Sequence, residues 1–134
     1  MESLRNEVFA YVLEQYGVEP DYPFPKDSNS GVLRHLNSQK WFAIVMPAPK
    51  KYLGTGADGH EDVITMKCDP MLIDSLIQRD GYYRAYHMNK QQWISIRLDG
   101  SVPMDKICNL VDFSFELTGK KSKKRAGQIR KMLQ

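Results

Sequence analysis

The segment Tyr86-His87-Met88-Asn89-Lys90-Gln91-Gln92-Trp93 sets an imidazole, carboxamides and an ammonium group directly ahead of the aromatic-led run Trp93-Ile94-Ser95-Ile96-Arg97-Leu98. Three kinds of chemistry could use that spacing. Lys90 can lie over an aromatic face such as Trp93, and an exposed Trp93 can stack on a nucleobase. His87, Asn89, Lys90 and Trp93 together can line a small-molecule pocket. The same groups can also do nothing more than hold a turn, since an Asn side chain bonds nearby backbone and tolerates left-handed geometry. The residues alone leave these uses open.

Other chemistry-bearing residues point to no reaction. Gly54-Thr55-Gly56-Ala57-Asp58-Gly59 matches GxGxxG. That fingerprint holds a pyrophosphate only when it opens a helix, whose first amides face the phosphates. Here His60-Glu61-Asp62-Val63-Ile64-Thr65 follows and reads as a strand, so Asp58-Gly59 is a hairpin bend and no cofactor is expected. Adjacent strand residues face opposite ways, so His60, Glu61 and Asp62 do not easily converge on one ion, and no metal site is expected. His35 falls on a strand as a lone histidine. Cys68 and Cys108 lie 40 positions apart without a CxxC, which argues against a disulfide framework or structural zinc and for a reducing cytoplasm. No Ser or Cys has a nucleophile context. Catalytic residues are therefore not expected, and the chain does not read as an enzyme.

Charge is distributed unevenly. The 134 residues carry 19 Lys+Arg against 16 Asp+Glu, a net of +3. Residues 117–134 hold seven of the basic ones (Lys120, Lys121, Lys123, Lys124, Arg125, Arg130, Lys131) and no acidic one, leaving 12 basic against 16 acidic in 1–116. A mildly acidic body thus carries a basic C-terminal end, which suits phosphates or an acidic protein partner. No apolar run reaches the roughly 18 residues of a membrane span, and Met1-Glu2-Ser3-Leu4-Arg5 lacks a secretory layout.

The elements that must position these groups follow from periodicity. Residues 3–16 repeat apolar Leu4, Val8, Val12 and Tyr16 at helical spacing, with Ser3 as N-cap and Gly17 as C-cap. Pro20, Pro23 and Pro25 impose an extended loop carrying Tyr22 and Phe24. Strands are expected over 31–36, 40–46 and 63–67, the first two joined by Asn37-Ser38-Gln39 and the second ended by Pro47 and Pro49. Asp69-Pro70 opens a helix with Leu72, Ile73, Leu76 and Ile77 buried, which Asp80-Gly81 stops. Strands over 82–86 and 93–98 come next, then Asp99-Gly100 turns the chain. A helix from Pro103 has Met104, Ile107, Cys108, Val111 and Phe115 as its apolar positions and is broken by Thr118-Gly119. A final basic helix spans 122–133. The fold class is α+β: a single two-layer domain over 1–118, mainly antiparallel sheet with helices packed on one face, plus a basic helical extension of the same domain over 119–134.

Set together, His87-x-Asn89-Lys90-x-x-Trp93 followed by Leu98-Asp99-Gly100 resembles the signature of the MmcQ/YjbR family of small bacterial proteins. Lys40-Trp41-Phe42-Ala43 looks like that family's Lys-x-Phe-Ala strand start, and Lys67-Cys68-Asp69-Pro70 its Lys-x-x-Pro approach to the middle helix. Asp112-Phe113-Ser114-Phe115 is similar to its Ser-aromatic pair, with Phe where Tyr is usual. Asp21-Tyr22-Pro23-Phe24 fits its aromatic-proline loop. The resemblance covers roughly residues 3–118. It implies a fold related to frataxin-like and secretion-chaperone-like arrangements, and it brings no catalytic residues. Such proteins are usually described as DNA-binding by analogy with a double wing motif, in which sheet hairpins address the duplex.

The resulting expectation is a cytoplasmic, monomeric DNA-binding protein of the regulator type, with Lys40, Arg84, Lys90 and the seven C-terminal cations contacting duplex DNA. The alternatives are a protein-interaction or chaperone-like module that docks an acidic partner, and a small-molecule binder built on His87, Asn89, Lys90 and Trp93. Asp99 belongs to the identifying block.

Overall fold

The computed structural model describes residues 3–119. The expected basic helix 122–133, with its seven cations, lies outside the described residues. Among the described residues three helices and five strands run in the order α1 (Arg5–Tyr16), β1 (Gly31–Arg34), β2 (Trp41–Pro49), β3 (His60–Lys67), α2 (Pro70–Leu76), β4 (Tyr82–Arg84), β5 (Trp93–Arg97) and α3 (Met104–Thr118). All strand pairings are antiparallel and the spatial order is β1-β2-β3-β5-β4. The α+β class read from the sequence is the class observed.

One face of the sheet carries the main core. Leu33, Ala43, Val45, Ile64, Met66, Ile94 and Ile96 meet Val8 and Val12 of α1, Ile73 of α2, and Ile107 and Val111 of α3. All three helices therefore cover the same face. The opposite face has its own smaller cluster: Val32, Ile44, Met46, Ala48 and Val63, over which Leu53 and Tyr52 of the 50–59 connection fold. Among the described residues no helix is long and apolar enough to cross a membrane.

Local chemistry explains most boundaries. Asp69 caps α2 by accepting the amides of Met71 and Leu72, with Pro70 at the first helical position, where a missing N–H costs nothing. Gly17 ends α1 in the left-handed conformation, its amide donating to the Leu13 carbonyl. Four expectations are corrected. Leu4, not Ser3, is the N-cap of α1, although the Ser3 hydroxyl still accepts the Arg5 amide at 3.1 Å. Strand β4 stops at Arg84 rather than residue 86. Of the α2 stripe only Ile73 is buried, because this short helix touches the sheet edge along one line.

The fourth correction concerns β2, which runs through Pro47 and Pro49 instead of ending before them. Lys50 donates to the Gly59 carbonyl, so even-numbered amides here point toward β3 and those at 47 and 49 point toward β1. But β1 pairs only as far as Gly31↔Val45. The two prolines occupy positions with no strand to donate to, where a proline is tolerated. At the other end of β2 the register slips between Leu33↔Ala43 and Arg34↔Trp41, leaving Phe42 as an extra residue. This bulge turns Phe42 into the helix-side core while Trp41 stays on the opposite face.

Candidate functional site

The antiparallel register brings the start of β2, the end of β3, the start of β5 and the end of β4 to one end of the sheet. From that end project the β1–β2 turn (36–40) and the β4–β5 connection (85–92), while the 50–59 connection lies at the other. Ser114 of α3 ties this end together. Fully buried, its Oγ donates to the Phe42 carbonyl at 2.5 Å and accepts the Lys67 amide at 3.0 Å, joining β2 and β3 where their ladder gives out. The C-terminus of α3 arrives here too: Thr118 Oγ1 lies 2.9 Å from His35 Nε2, and the His35 amide donates to the Lys40 carbonyl at 2.9 Å.

The identifying block builds the β4–β5 turn. His87 takes a positive φ of 64° and its ring lies 3.9 Å from that of Tyr86. Asn89 Oδ1 accepts the Gln91 amide at 2.9 Å, and the Asn89 carbonyl accepts the Trp93 amide at 2.9 Å. Lys90 lies over Tyr52, 5.6 Å from its ring centre, and not over Trp93; its Nζ donates to the Ala85 carbonyl at 2.9 Å. The correction has a simple cause. Tyr52 reaches across from the 50–59 connection and its hydroxyl donates to the Arg84 carbonyl at 2.6 Å, which brings its ring beside Lys90. Asn89 and Lys90 therefore serve the turn itself. Asp99 sits at the far end of β5. It accepts from the Ser101 amide at 3.0 Å and the Ser101 hydroxyl at 2.6 Å, and pairs with Arg97 at 3.0 Å. Burial pushes the Asp99 carboxyl up, but the Ser101 hydrogen bonds and the Arg97 charge outweigh it and hold it below the ordinary range.

The cations differ in their commitments. Arg84 pairs with Asp74 at 3.3 Å, Arg34 with Asp21 at 3.0 Å, Arg5 with Asp62 at 3.4 Å, and Arg97 with both Glu61 and Asp99. Lys40 is exposed on the β1–β2 turn with no carboxylate partner among the described residues. Lys120, Lys121, Lys123, Lys124, Arg125, Arg130 and Lys131 lie outside the described residues. The structure thus brings Lys40, Arg84 and Lys90 to one end of the sheet, with Arg84 already neutralised.

Sequence reading missed Lys67, Trp41 and Tyr52 as members of this surface. Trp41 packs on the face opposite the helices, beside Val32 and Ile44. Lys67 is the direct cross-strand neighbour of Trp93. Strand parity held the signal for Lys67, since it alternates with the core residues Ile64 and Met66. Elsewhere, His60-Glu61-Asp62 divides as alternation requires: Glu61 goes to Arg97 and Asp62 to Arg5. Burial pushes the Cys68 thiol up to about 11, and burial with Asp112 and Asp105 nearby raises Cys108, so neither is a ready thiolate.

The YjbR family model matches residues 13–117. The chain belongs to the YjbR family. The resemblance carried by residues 87–100 is confirmed by that match. The uncharacterized protein YyaQ of Bacillus subtilis is 39% identical over 114 residues, which cover 85% of this chain and 97% of that one. The uncharacterized protein YjbR of Escherichia coli is 37% identical over 54 residues, 40% of this chain and 46% of its own. A crystal structure of a Pseudomonas syringae protein superposes with a TM-score of 0.83 at 37% identity, covering 89% of this chain and 100% of the other. The Deinococcus radiodurans protein DR2400 shares the fold, with a TM-score of 0.70 at 21% identity over 94% of this chain and 87% of its own. Lys40, Lys67, Asn89, Trp93 and Ser114, all among the residues that carried the resemblance, thus meet around one end of one sheet.

Proposed function

We propose that this protein is a cytoplasmic, non-catalytic nucleic-acid-binding protein that holds duplex DNA against the end of the sheet carrying the two hairpin connections. In this reading the 36–40 turn and the 85–92 connection act as paired wings. The observation that carries it is a juxtaposition. Gly119, the last described residue, follows Thr118, which is hydrogen-bonded to His35 beside the Lys40 turn at the wing end. The sequence that continues from Gly119 holds seven cations and no acidic residue, while the arginines Arg5, Arg34, Arg84 and Arg97 are paired with carboxylates. Binding of this kind is dominated by phosphate neutralisation and counterion release.

The test is fluorescence anisotropy of a labelled duplex with the full chain at several salt concentrations. The log–log slope should be about −0.9 for each phosphate neutralised. Changing Lys120, Lys121, Lys123 and Lys124 to Gln should flatten it by about 0.9 for each phosphate that the variant no longer neutralises. Lys50→Gln, at the other end of the sheet, should leave it unchanged. Absence of binding near physiological salt, or an unchanged slope in the fourfold variant, overturns the reading.

A further inference from the structure

The chain has two tryptophans, Trp41 and Trp93, and the fold sets both half-buried on the sheet face opposite the helices, at the wing end. Neighbouring side chains fix the parity. Trp41 packs with Ile44 and Val32 on that face. Thr65 and Ser95 are cross-strand partners whose hydroxyls lie 2.6 Å apart, which places Lys67 and Trp93, two residues along each strand, on their side. The strand order β2-β3-β5 then gives a row across the sheet of Trp41, Lys67 and Trp93. Its outer members stand two strand spacings apart, ~10 Å.

The Trp41 indole is held. Arg34 lies over the Trp41 ring at 5.6 Å from its centre, and Phe24 meets the ring edge-on at 6.1 Å. The Trp93 backbone is fixed by its amide's bond to the Asn89 carbonyl. Lys67 has no carboxylate partner among the described residues, and Asp21 at this end is engaged by Arg34. A cation flanked by two indoles matches what a single-stranded polynucleotide offers, a phosphate chain with unstacked base faces. A duplex keeps those faces hidden. Bidentate reading of base edges would call on arginine, and Arg34, Arg84 and Arg97 are all paired.

Building on the nucleic-acid reading above, we infer that Trp41, Lys67 and Trp93 form a stacking platform for single-stranded DNA or RNA, largely indifferent to base sequence. The basic segment supplies affinity for either form. The platform selects the open strand. Asn89, conspicuous in the sequence, is on this account a positioning residue for Trp93.

Both tryptophans belong to the platform, so intrinsic fluorescence reports on it directly. The full chain is titrated with an oligothymidylate and, separately, with a duplex of equal length, following tryptophan emission and anisotropy together. The oligothymidylate should quench the emission, and Trp93→Ala should weaken its binding by ~5-fold or more while duplex affinity holds. Lys67→Gln should flatten the single-strand salt slope by about 0.7. Should Trp93→Ala fail to fold, Lys67→Glu must lower oligothymidylate affinity more than duplex affinity. Duplex binding with no quenching by the single strand, or equal losses for both forms in these variants, overturns the platform and leaves the proposed function standing. Failure to bind either polymer overturns both.

Discussion

Replacing Ser114 by Ala removes one hydroxyl and strands two backbone groups. The Phe42 carbonyl loses its donor at 2.5 Å, and the Lys67 amide loses its acceptor at 3.0 Å. Ser114 has no exposed surface and Phe42 is likewise fully buried, so water cannot simply take the hydroxyl's place at the carbonyl. Each buried group left unsatisfied costs about 1–3 kcal/mol, the carbonyl less because its second lone pair is easier to leave idle. Lys67 is only half-buried, which lowers its share. The expected loss is about 2–4 kcal/mol, a large part of the roughly 5–15 kcal/mol that holds a domain of this size. Urea unfolding followed by circular dichroism reads it: with an m-value near 2 kcal/mol/M, the midpoint falls by roughly 1–2 M while m stays constant. Hydrogen exchange should show the Lys67 amide losing protection. A loss under about 0.5 kcal/mol, with that amide still protected, would mean that the hydroxyl does not join β2 to β3 as described.

Two more outcomes follow from the geometry. Gly81 has a φ of 91°, and a Cβ there would meet Val102 Cγ2 at 2.6 Å and Ser101 Oγ at 2.7 Å, whereas one on Gly56, at φ 73°, would meet nothing within 4 Å. Gly81→Ala should therefore cost about 2–4 kcal/mol from backbone strain plus overpacking, and Gly56→Ala about 1 kcal/mol from strain alone, as thermal or urea denaturation will show. Tyr11 and Tyr16 both donate to Asp112, at 2.7 Å and 2.6 Å. Burial first, then the Asp112 hydrogen bond and charge, push the Tyr11 phenol up to about 12 and Tyr16 higher still. Because these folded-state values lie above the ordinary value of about 10, their contribution is fully present below that pH and is lost as pH rises through 12. Phenolate absorbance should show Tyr11 ionising late in the native protein, and Asp112→Asn should bring that ionisation back toward 10; an unchanged titration in the variant would refute the role given to Asp112.

Much of the fold was legible because it is written locally. Asp69-Pro70 contains its own cap chemistry, Gly17 its own left-handed stop, and Asp99-Gly100 its own turn, so neighbouring residues suffice to read them. What could not be read depends on partners distant in the chain. Whether Pro47 and Pro49 end a strand turns on where β1 ends. The Phe42 bulge exists only in the pairing of β1 with β2. Lys90 meets Tyr52, and Asp112 meets Tyr11 and Tyr16, across separations that periodicity does not register. The candidate site divides in the same way. Lys40, Asn89, Lys90 and Trp93 stood out by type and spacing, while Lys67 and Trp41 joined them only once the strand order was known. The carboxylate facing Arg84 could not be read from its neighbours either, since Asp74 sits on a different element.

The most direct test of the account is a map of where a polynucleotide sits. Backbone amide spectra of the isotope-labelled full chain, titrated with a short oligonucleotide, should shift at residues 36–41, at Lys67, at 85–93 and along the run from Lys120. Lys50, residues 54–59 and the Asp99-Gly100 turn, at the far end of the sheet, should stay still. Shifts gathered on those far turns, with the wing end unmoved, would contradict it.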